Sequence, residues 1–118
     1  MNERLTPQER IRSEKDFTSL YKSGSRYRGR YFNVVYRPNS FGYSRLGVVV
    51  SKKVGSAVTR NGVKRRIRSL FRRNKGLLAE PMDLIVVTRK EILELSRAEM
   101  RAGYLQALEL INKKRTSQ

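Results

Sequence analysis

The sequence predicts an α+β fold. It is a single-domain sandwich in which a small, mostly antiparallel sheet of about four strands carries helices packed on it, in the order α-β-β-(β)-α-β-α. Three observations predict it. Ser13 with Asp16, and Ser96 with Glu99, are helix-start pairs at capping-box spacing. Residues 31–37 alternate with period two, as a strand does. Val63, Ile67, Leu70 and Phe71 recur at i, i+4, i+7 and i+8, the apolar stripe of a helix with one buried side. A chain of 118 residues is large enough for one core but not two. Residues 1–9 and 113–118 are expected to be flexible tails.

Each element has its own warrant. Behind Ser13, residues 14–22 form a short helix with Phe17, Leu20 and Tyr21 on one side and Gly24 as its stop. Residues 27–30 can add a short edge strand. In residues 31–37, Phe32, Val34 and Tyr36 share one face, while Tyr31, Asn33 and Val35 share the other. Pro38, Asn39, Ser40 and Gly42 make a turn. Residues 45–51 (RLGVVVS) form the next strand, expected as the antiparallel partner of the preceding one. Gly55 and Ser56 introduce a helix over about residues 57–74. Residues 82–89 (MDLIVVTR) form a continuous apolar run, which suits a central strand covered on both sides. Ser96 opens the last helix, whose apolar side is Met100, Tyr104, Leu108 and Ile111.

Charge dominates the composition. Lys and Arg number 27 against 10 Asp and Glu, a formal net charge of +17, and a polyanion is needed to offset such self-repulsion. The acids are Glu3, Glu9, Glu14, Asp16, Glu80, Asp83, Glu91, Glu94, Glu99 and Glu109, so residues 17–79 contain none while holding sixteen of the cations. A solubilising surface intersperses both signs; a carboxylate-free half of the chain is suited to phosphate. Arg outnumbers Lys by eighteen to nine, which favours bidentate phosphate binding and base stacking over a membrane surface.

Other classes lose support. With no Cys, there is no disulfide framework or thiolate metal site, and with no His, the commonest general base and metal ligand are missing. Apolar runs such as residues 84–87 are too short to span a bilayer. The first ten residues lack an apolar signal region and include Glu3 and Glu9, so a cytoplasmic location is expected.

The most informative segment follows the second strand. Arg60, Lys64, Arg68 and Arg72 recur every four residues, and Arg65, Arg66 and Arg73 widen the stripe. Lys52 and Lys53 add charge near the helix start, where backbone N–H groups favour anions. Asn61 supplies a neutral donor and acceptor. This set reads as a nucleic-acid contact. The run from Ser51 to Arg68, SKKVGSAVTRNGVKRRIR, resembles the signature of the protein subunit of bacterial ribonuclease P, carried on the passage from strand to helix. The early Asp16-Phe17 pair and the final strand and helix match as well, so the resemblance covers about Arg10 to Lys113. One position departs: where the family has Arg-Asn-Arg, the third residue here is Gly62.

The resemblance implies a fold, a role and partners. Similar proteins bind a large catalytic RNA, and the holoenzyme removes the 5′ leader of precursor tRNA by Mg²⁺-dependent phosphodiester hydrolysis. The RNA subunit holds the metal ions, and the chain alone is expected to be non-catalytic, with no catalytic or metal-ligating residue of its own. Lys52, Lys53, Arg60, Asn61, Lys64, Arg65 and Arg68 would dock on the catalytic RNA. A cleft between the sheet and the first helix would hold the single-stranded leader. Phe17, Tyr21, Phe32, Val34 and Tyr36 would line it, with Arg28 and Arg30 on leader phosphates. The partners expected are that RNA and precursor tRNA, without DNA or membrane. The alternative is a structural RNA-binding protein of ribosomal type with no role in cleavage. A DNA-binding module finds no compact helix-turn-helix pair, and a protein-only nuclease finds no cluster of acids in the basic half.

Overall fold

A computed structural model describes residues 6–116. Three helices and four strands follow in order: α1 (Glu14–Ser23), β1 (Ser25–Arg28), β2 (Phe32–Pro38), β3 (Arg45–Val50), α2 (Ala57–Asn74), β4 (Met82–Thr88) and α3 (Arg97–Thr116). Short 3-10 turns link several of them. Ser13 caps α1 by accepting from the Asp16 N–H at 3.3 Å, and Ser96 and Glu99 close a reciprocal capping box at the start of α3.

Four strands form one sheet in the order β1-β2-β4-β3. β1 and β2 pair antiparallel, as do β2 and β4, while β3 runs parallel to β4. The expected antiparallel pairing of β2 with β3 is therefore corrected: β4 lies between them. Its run from Met82 to Val86 is buried on both faces and needs a neighbour on each side. Helix α2 then serves as the crossover that a parallel β3–β4 pair requires.

The two faces of the sheet are covered by different helices. On one, Phe32, Val34, Tyr36, Leu46, Leu84 and Val86 pack with Val63, Ile67 and Phe71 of α2 and with Met100, Tyr104, Leu108 and Ile111 of α3. On the other, Val35 and Ile85 pack with Leu20 of α1 and with Ile11, with Phe17, Tyr21, Val49 and Val87 half-buried around them. The result is three layers: one helix, the sheet, two helices.

The expected tails, residues 1–9 and 113–118, are described in part. Residues Pro7–Glu9 form a 3-10 turn, and α3 continues through Thr116; residues 1–5 and 117–118 lie outside the described residues. Glu9 holds the N-terminal turn in place. Its carboxylate accepts from Lys75 Nζ at 2.6 Å and from the Thr6 N–H at 3.0 Å, and Arg72 Nη1 lies at 3.6 Å. Burial raises its pKa, but the Lys75 and Thr6 hydrogen bonds outweigh this and hold it below the ordinary 4.5. A depressed carboxyl stabilises the fold fully above that ordinary value, and the contribution is lost as pH falls through the lower folded value. Glu9→Gln is therefore expected to flatten the loss of thermal stability below about pH 4.5. Parallel acid limbs in the two proteins would show that Glu9 is not the group involved.

Candidate nucleic-acid interface

The head of α2 is shaped by its sequence. Gly55 takes φ 154°, a conformation that glycine tolerates best, and Ser56 accepts from the Thr59 N–H at 3.3 Å. Arg60 Nε donates to the Gly55 carbonyl at 3.2 Å, so this half-buried guanidinium is drawn back onto the helix start. With Val63, Ile67 and Phe71 buried, 3.6 residues per turn put Asn61, Lys64, Arg68 and Arg72 on one flank. Arg65 points outward, and Arg66 and Arg73 take the opposite flank, facing α3.

The first flank borders the N-terminal segment. Arg68 is half-buried, and that burial together with the neighbouring Arg10 pushes its pKa below the usual arginine range. Among the described residues, no carboxylate pairs with Lys52, Lys53, Lys64, Arg65 or Arg68; Arg72, by contrast, reaches Glu9. Lys52 and Lys53 are exposed in the turn before α2. Gly62 leaves open space: a Cβ added there meets nothing within 4 Å. Gly62→Ala is therefore expected to stabilise the helix by about 1 kcal/mol. A rise in melting temperature of about 4 °C would register it, and no rise would mean that Gly62 has a conformational role.

The second expected site is rearranged. Phe17 and Tyr21 lie on the α1 side of the sheet, as expected. Phe32, Val34 and Tyr36 do not: they are 5%, 2% and 2% exposed in the core beneath α2 and α3. Their assignment to the cleft is corrected, because successive strand residues point to opposite faces and α1 covers the face carrying Val35.

Strand register identifies what does face α1. One transverse row runs Arg26, Val35, Ile85, Gly47, and α1 lies across it. A Cβ at Gly47 would come within 2.6 Å of the Phe17 ring, so glycine is what allows that ring to settle on the sheet. The next row runs Arg28, Asn33, Val87, Val49, beyond the buried contact of α1. Arg28 is exposed and the other three are half-buried. Arg89 extends the row, donating from Nη2 to Asn33 Oδ1 at 3.3 Å. At about 4.8 Å per strand, this strip is roughly 14 Å long. Arg26 flanks it with its guanidinium 5.5 Å from the centre of the Tyr21 ring, and Arg30 is exposed over Tyr31 at 5.4 Å. Asn33, Val49, Val87 and Arg89 were not among the residues expected from sequence; the parity of Asn33 opposite Phe32 places it on this face.

Among the described residues, no cluster of acids is arranged as a metal site. Both Asp83 carboxylate oxygens are taken by Arg45, at 2.9 and 2.7 Å, and Asn39 donates to one of them at 2.8 Å. Asp16 also faces Arg45, at 3.3 Å. This donor set fits a guanidinium rather than Mg²⁺.

A family model described as Ribonuclease P matches residues 5–112, nearly the whole chain. The chain belongs to the ribonuclease P protein family. Family members of known sequence include the ribonuclease P protein component of Thermotoga maritima, 44% identical over 94 residues, with 80% of each chain covered. That of a Streptococcus pneumoniae strain is 43% identical over 101 residues, covering 86% of this chain and 82% of the relative. Solved ribonuclease P proteins share the fold. The Thermotoga maritima protein superposes with a TM-score of 0.77 at 38% identity, covering 85% of this chain and 94% of that one. The Staphylococcus aureus protein gives 0.81 at 33%, covering 87% and 94%. The role that goes with this family is that of the protein component of ribonuclease P.

Proposed function

We propose that the chain binds the catalytic RNA of ribonuclease P through the α2 flank and holds the single-stranded 5′ leader of precursor tRNA on the strip beside α1. Lys52, Lys53, Lys64, Arg65 and Arg68 neutralise phosphates of the folded RNA, and Asn61 bonds to its sugar or base edges. On the strip, Val49 and Val87 give an apolar platform, Phe17 and Tyr21 a wall, and Arg28 and Arg89 the charge. A single strand held in this way is bound by its backbone and stacking rather than by its sequence. The chain contributes binding and orientation in the cytoplasm; Mg²⁺ and phosphodiester hydrolysis are left to the RNA, in keeping with the commitment of Asp83 and Asp16 to Arg45.

The observation that carries this reading is the pairing of two surfaces: an α2 flank on which Lys64 and Arg68, with the neighbouring Arg65, have no carboxylate partner among the described residues, and a separate strip of partly apolar sheet edged by arginine. The test is reconstitution. The chain and its cognate catalytic RNA together are expected to cleave precursor tRNA at limiting Mg²⁺, where neither does so alone. Equal cleavage by the RNA without the chain would overturn the proposal and favour a structural RNA binder of ribosomal type. Cleavage by the chain without RNA would overturn the division of labour.

A further inference from the structure

The flank of α2 that faces α3 is as basic as the one assigned above, and it opens on a groove of about 380 Å³ between the two helices. Arg65, Arg66 and Arg73 line it from α2, and Arg97 and Arg101 from α3, with Leu70 and Met100 among its apolar residues. Among the described residues, no Asp or Glu lines it. We propose that this groove holds a second backbone segment of the bound RNA, so that α2 sits as a wedge between two phosphate tracks, one on each flank. The inference rests on the RNA-binding reading above and adds a partner segment to it.

Local structure argues that an anion belongs there. Arg97 occupies the first turn of α3, the positive end of the helix dipole, where a cation is unfavourable. Arg97 and Arg101 stand at i, i+4, where like charges repel, and Arg65 and Arg66 line the facing wall of the groove. The acid nearest in sequence does not line the groove. Glu99 is committed to the capping box, its carboxylate accepting from the Ser96 N–H at 2.9 Å. Bidentate guanidiniums on two rigid walls suit successive phosphates of one strand, and the half-buried Leu70 gives the riboses an apolar side to rest on. Charge complementarity and continuity choose RNA as occupant: Arg65 belongs both to the groove and to the outward surface already assigned to RNA. An α-helix is about 10 Å across with its side chains, so the two tracks are separate segments of the fold rather than adjacent nucleotides.

The chain contains no cysteine, so a single introduced one gives a unique attachment point. An iron chelate that generates hydroxyl radicals is placed at Ala57→Cys, beside the first flank, or at Ala102→Cys, one turn beyond Ala98 on α3. With the cognate catalytic RNA, the two labels are expected to cut separate windows. Arg97→Gln with Arg101→Gln is expected to lower the slope of log affinity against log salt by ~1.4 to 1.8, at two phosphates lost. It should also abolish the cuts from residue 102 while leaving those from residue 57. An unchanged slope in this variant, alongside a reduced one for Lys64→Gln with Arg68→Gln, would overturn the groove and leave the function intact. No change in either pair would overturn the RNA-binding reading itself. Competition for the groove by poly-glutamate, with RNA affinity unaffected, would assign it to an acidic protein and overturn the proposal. Both arginines are exposed, so an unchanged melting curve confirms that each variant remains folded.

Discussion

Replacing Lys64, Arg65 and Arg68 together by glutamine is expected to flatten the salt dependence of RNA binding by ~2.1 to 2.7 in slope, three phosphate contacts at 0.7–0.9 each. The affinity loss is then ~20- to 40-fold greater at 50 mM salt than at 200 mM. Stability should change little. None of the three pairs with a described carboxylate, and removing Arg68 relieves its repulsion from Arg10. Glutamine keeps helix propensity and length while deleting charge, so the experiment isolates electrostatics from folding. An equal affinity loss at every salt concentration would show that these residues support the interface by packing rather than by binding phosphate.

The second large effect concerns stability. Asp83→Ala is expected to cost about 3–5 kcal/mol, read as a lowered urea midpoint, because it strands a buried cation. Asp83 is 4% exposed at its side chain and Arg45 12%, and the guanidinium fork meets both carboxylate oxygens. Arg45 is correspondingly held above the usual arginine range, chiefly by the Asp83 hydrogen bonds. The same carboxylate accepts from Asn39, so its loss also frees the β2–β3 loop. Asp16→Ala is the internal control. Asp16 is 45% exposed and touches Arg45 once, so its removal should cost under about 1 kcal/mol. Pairing Asp83→Ala with Arg45→Met should recover part of the loss, since a buried apolar pair needs no counter-charge. Equal costs for Asp83→Ala and Asp16→Ala would refute the bidentate pair as a structural tie.

Much of the fold was legible because local rules acted alone. Ser13, Ser56 and Ser96 cap the three helices they precede, since a cap is decided within four residues. The central position of β4 followed from its unbroken apolar run. The sheet order did not follow. Neighbours in sequence pair often, and nothing local in β2 or β3 announces that a strand more than thirty residues later will enter between them. The cleft suffered from the same limit. The two faces of β2, one with Phe32, Val34 and Tyr36 and the other with Asn33 and Val35, were both visible in its alternation. Both faces are covered, however, so hydrophobicity could not say which one receives α1.

The basic character of this protein is written into its residues: a stretch of 63 residues holds sixteen cations and no carboxylate, and period 3.6 places its charges on α2 outside the stripe of Val63, Ile67 and Phe71. Which groups stand beside that charge depends on how the strands and helices pack. Asn33, Val87 and Val49 become neighbours through register across three strands, and Arg97 and Arg101 meet Arg65 and Arg66 through helix packing. Charge is carried by each residue, whereas adjacency across strands and helices is a property of the folded chain.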